Sequence, residues 1–375
     1  MLRALGLSEY NLKDVDGRLV GKSSGFFNHI ADQPDVTMID HIVTPTWQEK
    51  MILHYGVQIR PNLHHWRMAS LMNPAAFRSR SRWLEEKLAA YDGNYDFIIQ
   101  LHTLQAPGTR FRERPYVIIT DNTYQMSRRY WPEWTPARGP NVHNQWIKQE
   151  KEVYNNALAL LTYSDFARRS IIDDYDVSPD RVHTVGVGSR FIAQEIDPKK
   201  YQSKTALFVG YDFKRKGGLE LLEAWKLVRQ QIPDAKLQIV GVNTPVEDVD
   251  GVDWLGRISD HKQVQQLFKD AALFAMPSLF EPFGLVFIEA MGMGVPCVAL
   301  NFGSTPEIIE HEKTGLLVEP KNVPALAEAI VYMLTHPEEA QRMGQIGQNY
   351  VSETYSWEAV GGRVMDKIHA ALERE

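Results

Sequence analysis

Short apolar runs that alternate with amphipathic helical stretches along the chain constrain its fold more than any other feature. In the first half LRALGL, VTMIDHIV, DFIIQLH, PYVIIT, LALLTYS and RVHTVGVG read as buried strands, and in the second ALFVGY, KLQIVG, LFAMPS and GVPCVAL do so. Between them WLEEKLAAY, NQWIKQEKEVYNNA, LELLEAWKLVRQQI and VPALAEAIVYMLTH carry a helical period. Such alternation predicts parallel sheets covered on both faces and joined by right-handed crossovers. So many strands exceed one comfortable sheet, and 375 residues suffice for two cores. The expected class is therefore α/β, with two doubly wound, Rossmann-like domains facing each other across a cleft lined by the C-terminal ends of their strands. The division falls near Gly186 to Phe191, where GVGSRF precedes the polar stretch AQEIDPKKYQSK. We therefore expect one domain over residues 1–189, with the C-terminal helix 357–375 returning to it, and a second over 190–356.

Hydrophobic content of 44% with 23% charged residues is that of an ordinary globular chain. The N-terminal stretch MLRALGLSEYNLKDVDGRL lacks the apolar core of a signal peptide, and no run approaches the roughly 18 apolar residues of a membrane span. A cytoplasmic location is expected, with membrane association left open. The single cysteine, Cys297, can form no internal disulfide and no Cys-rich zinc site, and it reads as a small core hydrophobe. The net charge of -6 and the lack of a recognised nucleic-acid motif argue against a nucleic-acid partner. Arginines nevertheless bunch in the first half: Arg78, Arg80 and Arg82, then Arg110, Arg112 and Arg114, then Arg128 and Arg129. They read either as a solvated charged surface or as a face for an anionic membrane or a phosphorylated acceptor.

FEPFGLVFIEA, Phe280 to Ala290, sets two acids in an apolar stretch. A strand ends before it, a turn follows, and LVFIEAMGMG reads as a helix that stops at its glycines. Pro282 suits the first helical position, and the amides of Phe283, Gly284 and Leu285 would then face an anion. Glu281 precedes that anion site, and Glu289 lies about two turns along the helix. This spacing matches a diphosphate flanked by two sugars, each carboxylate accepting hydrogen bonds from hydroxyls. FVGYDFKRKGG supplies the opposing cations, Lys214, Arg215 and Lys216, on a loop after a strand.

The stretch from about Ala206 to Val331 resembles the donor-binding domain of the retaining glycosyltransferases of family 4, which have the GT-B fold. The motif of two glutamates separated by seven residues stands here as Glu281 and Glu289, followed by Ala290, Met291, Gly294 and Pro296. GSTPEIIEHEKTGLLVEP and Gly256–Arg257–Ile258 add to the likeness. The resemblance implies that Glu281 contacts the transferred sugar, Glu289 the ribose, Arg215 and Lys216 the diphosphate, and Gly256 to Ile258 the nucleobase. In the first half it implies a glycine-rich loop placed at Gly21 to Gly25, a sugar-contacting histidine at His102, and a helix-starting serine at Ser164. Asp121, after the next strand, is a candidate acceptor ligand, as is Gly21 in its loop.

The expected activity is a retaining, metal-independent transfer of a hexose from a nucleoside diphosphate sugar to an acceptor hydroxyl on a glycan, glycolipid or small molecule, as in cell-envelope or polysaccharide synthesis. UDP- or GDP-sugar is the expected donor, a sugar or lipid-linked molecule the acceptor, and no cofactor is called for. A sugar-nucleotide epimerase of the same fold and a non-catalytic binding subunit remain alternatives. A nicotinamide oxidoreductase does not, because no Gly-x-Gly-x-x-Gly follows any predicted strand.

Overall fold

A computed structural model describes residues 2–8, 12–13, 19–20, 24–43, 71–136 and 139–374. The chain forms two compact units, one made of Met1–Gly188 with Trp357–Glu375, the other of Ser189–Ser356. Each carries its own six-stranded sheet, and every pairing within the two sheets is parallel.

In the first unit the strands are β1 (Leu2–Ser8), β4 (Val36–Val43), β5 (Phe97–Leu101), β6 (Tyr116–Thr120), β7 (Ala159–Thr162) and β8 (Val182–Thr184), ordered β4-β1-β5-β6-β7-β8. A two-stranded antiparallel hairpin, β2 (Leu12–Lys13) and β3 (Leu19–Val20), stands apart from them. FIIQL and YVIIT are buried at every position, as central strands sandwiched between helix layers must be. The one polar residue of β5, Gln100, is fully buried and donates from its Nε2 to the carbonyls of His102 and Gln105, so it pins the loop that follows the strand.

The last helix, Trp357–Leu372, belongs to this unit although the chain has meanwhile built the other. Val360, Val364 and Ile368, at helical spacing, are completely buried. Trp357 meets Phe26 edge-on at 5.2 Å and lies so close to Gly188 that a Cβ there would come within 2.2 Å of its ring. Gly361 lies against His29 as tightly, at 1.7 Å for an added Cβ, so a residue larger than glycine at either position would push this helix off.

In the second unit the strands are β9 (Thr205–Val209), β10 (Lys236–Val240), β11 (Val252–Gly256), β12 (Leu273–Ala275), β13 (Cys297–Leu300) and β14 (Gly315–Val318), ordered β11-β10-β9-β12-β13-β14. The chain starts in the middle at β9, runs outward to β11, then returns to β12 on the other side of β9. Its direction reverses between β9 and β12, and at such a switch point the loops leaving the two strands part and open a crevice for ligands. Cys297 is completely buried within β13.

Candidate functional site

The loops that leave β9 and β12 carry charged groups that meet each other. After β9 the chain turns through Tyr211 to Gly217 and enters the helix Gly218–Gln231. Gly217 has φ +71°, and a Cβ there would lie 1.9 Å from the carbonyl oxygen of Pro277 in the loop after β12. The two loops can approach this closely only because residue 217 lacks a side chain. Leu279 N donates to Arg215 O at 2.9 Å and completes the strap.

Within it, the Lys216 ammonium pairs with Glu281 Oε2, which also accepts from Ser278 Oγ at 3.3 Å. Arg215 Nη1 lies 3.7 Å from the same oxygen, but its closer bonds are to Phe280 O at 2.7 Å and to Asp212 Oδ2 at 3.2 Å. Arg215 is thus buried and braces the loop. Lys214, the third cation of the run, is exposed.

Pro282 does not begin the helix. It lies in the turn, and the helix runs Leu285–Gly292 with Gly284 as its N-cap at φ +98°. The left-handed backbone of Gly284 cannot continue a helix backwards, so the start falls three residues beyond the expected one, at Leu285 and not Pro282. A Cβ on Gly284 would also meet the Phe287 ring at 2.7 Å and Glu281 Cγ at 3.2 Å. Ser304 Oγ, fully buried, reaches the carbonyls of Glu281 and Phe283 at 2.9 and 2.6 Å and fixes the turn from behind. Phe283 is itself buried against Tyr355. The first-turn amides from Leu285 onward point out of the helix start, where their partial positive charge suits an anion.

Glu289, on the same helix, is nearly inaccessible and is held by Arg190, whose Nε donates to Oε1 at 2.5 Å. Sequence reasoning missed Arg190. The remaining candidates lie on neighbouring loops: Gly256 ends β11 at φ +67°, Arg257 N donates to Asn243 Oδ1 at 3.0 Å, and the Arg257 guanidinium stands over the exposed ring of Tyr211, 5.6 Å from its centre. Ile258 is half-buried beside them. A groove of about 1000 Å³ elsewhere on this unit is lined by Glu195, Asp197, Lys200 and Asp270 and shares no residue with this cluster. Its buried Lys200 is spent on the carbonyls of Phe268 and Met293, and burial lowers its pKa to about 8.

In the first unit His102 and Asp121 end successive strands, β5 and β6, and meet with Nδ1 3.5 Å from Oδ1. His102 adopts φ +58°, a left-handed backbone that a non-glycine residue holds at a cost of roughly 1–3 kcal/mol and that gathers at functional sites. His102→Gly is therefore expected to unfold no earlier than the wild type in urea, and up to about 1 kcal/mol later. Lost stability would mean that the backbone at His102 stores no strain. Gly21 lies outside the described residues, and Gly25 is part of the helix Ser24–Ala31. Ser164 is a helix cap, its Oγ accepting from Ala167 N at 3.1 Å.

Several of the bunched arginines are engaged within the first unit. Arg80 is buried and donates to the carbonyls of Leu104 and Leu71; Arg114 and Arg110 both grip Glu85; Arg112 pairs with Glu152 and Arg129 with Asp174. Neighbours in sequence diverge in space because alternate residues on a helix point to different sides, so Arg78 and Arg82 are exposed while Arg80 between them is not. Among the described residues no helix is long and apolar enough to cross a membrane.

Residues 190–350 match the family model described as glycosyl transferases group 1. Over 277 residues the chain is 28% identical to MMP alpha-(1->4)-mannosyltransferase of Mycolicibacterium hassiacum, a match covering 68% of this chain and 64% of that protein. The chain thus spans less than two thirds of the length of the curated relatives it matches. Among solved structures, sucrose-phosphate synthase from Thermosynechococcus elongatus superposes with a TM-score of 0.70 at 19% identity, covering 99% of this chain and all of that one. HepE of Anabaena, solved in complex with UDP and glucose, gives 0.68 at 16% identity, covering 99% and 100%. The architecture is that of the GT-B glycosyltransferases, with two Rossmann-like units.

Proposed function

We propose that the chain is a retaining glycosyltransferase that moves a hexose from a UDP- or GDP-sugar to an acceptor hydroxyl without a metal. One observation carries this reading: at the switch point of the second unit, Lys216, Glu281 and the start of the helix Leu285–Gly292 converge, with Glu289 farther along the same helix. The group 1 match over this unit, the mannosyltransferase relative and the UDP and glucose held by HepE support it.

In this reading the diphosphate takes the place where Lys216 and the helix amides meet, Glu281 accepts from hydroxyls of the sugar, and Glu289 accepts from the ribose. As the glycosidic bond breaks, negative charge grows on the departing diphosphate, and donors that strengthen with that charge lower the barrier. Retention follows the family pattern, with the acceptor attacking from the face the phosphate leaves. His102 and Asp121 are the groups we assign to the first unit's part in the reaction. Gly256, Arg257 and Ile258 we assign to the nucleobase.

A thermal-shift and calorimetry panel of uridine, guanosine and adenosine diphosphates and their sugars tests the reading. One base is expected to stabilise the protein, by about 2.7 kcal/mol at 100 times its dissociation constant. Silence across the panel would overturn the reading. Release of an epimerised sugar nucleotide with no transfer would assign the epimerase instead.

A further inference from the structure

We infer that Arg190 is a positioning residue of the nucleotide site: it holds Glu289 oriented so that one carboxylate oxygen is left to receive the ribose. The inference rests on the proposed donor site and adds to it a residue that neither sequence nor similarity assigned.

Glu289 is the only charged residue in LVFIEAMG, and its neighbours Ile288, Ala290 and Met291 are completely buried. A carboxylate in such surroundings needs a cationic or hydrogen-bonding partner. Arg190 Nε supplies that partner at Oε1, and its Nη1 lies 3.5 Å from His261 Nδ1 at the start of the helix His261–Asp270. A carboxylate offers about four lone-pair directions, so a bond at Oε1 leaves room for hydroxyl donors at the other oxygen.

The Arg190 backbone is fixed as well. Ser189 Oγ donates to Phe191 O at 2.9 Å and accepts from Phe191 N at 3.3 Å, and Ala193 N donates to Gly292 O at 2.8 Å. The segment from Ser189 to Ala193 is thereby strapped along the helix that bears Glu289. The guanidinium stacks on Phe191, 5.5 Å from the ring centre. The Arg190 side chain is 36% exposed and that of Glu289 only 3%.

Arg190→Met keeps the length and removes the charge; Arg190→Lys keeps a charge without the planar fork. Calorimetry with the nucleoside diphosphate preferred by the wild type, and separately with inorganic pyrophosphate, divides the site into its ribose and phosphate parts. We expect Arg190→Met to weaken the nucleoside diphosphate by about ten- to a hundredfold, to leave pyrophosphate unchanged, and to raise donor KM more than it lowers kcat. Arg190→Lys should recover part of the loss. If the wild type binds the nucleoside diphosphate more tightly than pyrophosphate and Arg190→Met keeps that whole margin, the positioning role is wrong. An equal loss for pyrophosphate would make Arg190 a phosphate ligand and overturn it too. If the wild type shows no margin over pyrophosphate, the nucleotide reading itself fails.

Discussion

Lys216→Ala is expected to lower the turnover number for sugar transfer by about 10²–10³-fold, with the chain still folded. The size follows from where the ammonium stands. It pairs with Glu281, which is itself 8% exposed, so both groups are largely out of water and their interactions are screened little. Under the proposed function a diphosphate arriving at the helix start meets the ammonium and the amides together. The charge it gains as the sugar leaves falls on both, and loss of one such preorganised donor costs about 2.7–4 kcal/mol of barrier.

Folding should survive because Glu281 retains Ser278 Oγ and the Arg215 guanidinium nearby, and because Arg215 holds the loop through Phe280 O. The same geometry separates the two cations of the run. Arg215→Ala would release the loop and lose stability together with activity, whereas Lys216→Ala should lose activity alone. Single-turnover transfer beside urea unfolding checks the pair. Transfer by Lys216→Ala within threefold of wild type would remove the cation from the mechanism.

Within the two six-stranded sheets most strands were legible, the first sheet's edges β4 and β8 included, and the two that were not are edges of the second sheet. Every central strand announces itself as an apolar run, but β11 and β14, which the apolar runs did not reveal, are the two edges of the second sheet. β11 alternates half-buried and exposed positions through VDWLG, so no continuous run marks it. The site was legible in its local parts: Lys216, Glu281 and Glu289 sit in short stretches whose glycines and apolar flanks betray the turns around them. What local sequence hid was direction and distance. KRK does not say which of its cations faces inward, and FEPFG does not say that the helix waits for Gly284. Arg190 lies 99 residues from its partner Glu289, in a stretch that reads as a linker, and only the folded strap brings the two together.

Glu150 gives the second large effect, in the stability of the first unit. It lies on the helix Pro140–Asn156, 4% exposed, and accepts from Tyr124 N at 3.2 Å, from Tyr154 Oη at 3.1 Å and from Tyr175 Oη. These partners are neutral, so burial dominates and raises its pKa to about 7, while the three hydrogen bonds oppose the rise. The folded state therefore binds more protons than the unfolded one between the ordinary carboxylate value of 4.5 and about 7. Its contribution is most favourable below the lower value, declines as pH rises through that window, and is flat above it. The decline amounts to about 3 kcal/mol. Glu150→Gln removes the titration and keeps a carbonyl to accept from Tyr124 N, so the variant's stability relative to the wild type should climb by most of that amount, about 2.5 kcal/mol, between pH 5 and pH 8. Urea unfolding of both proteins across the range measures it, since groups common to the two cancel in the difference. A constant difference would mean that Glu150 is ionised in the folded unit throughout. The charge would then owe its place to the helix Tyr124–Tyr130, whose first amide it caps just beyond Asp121.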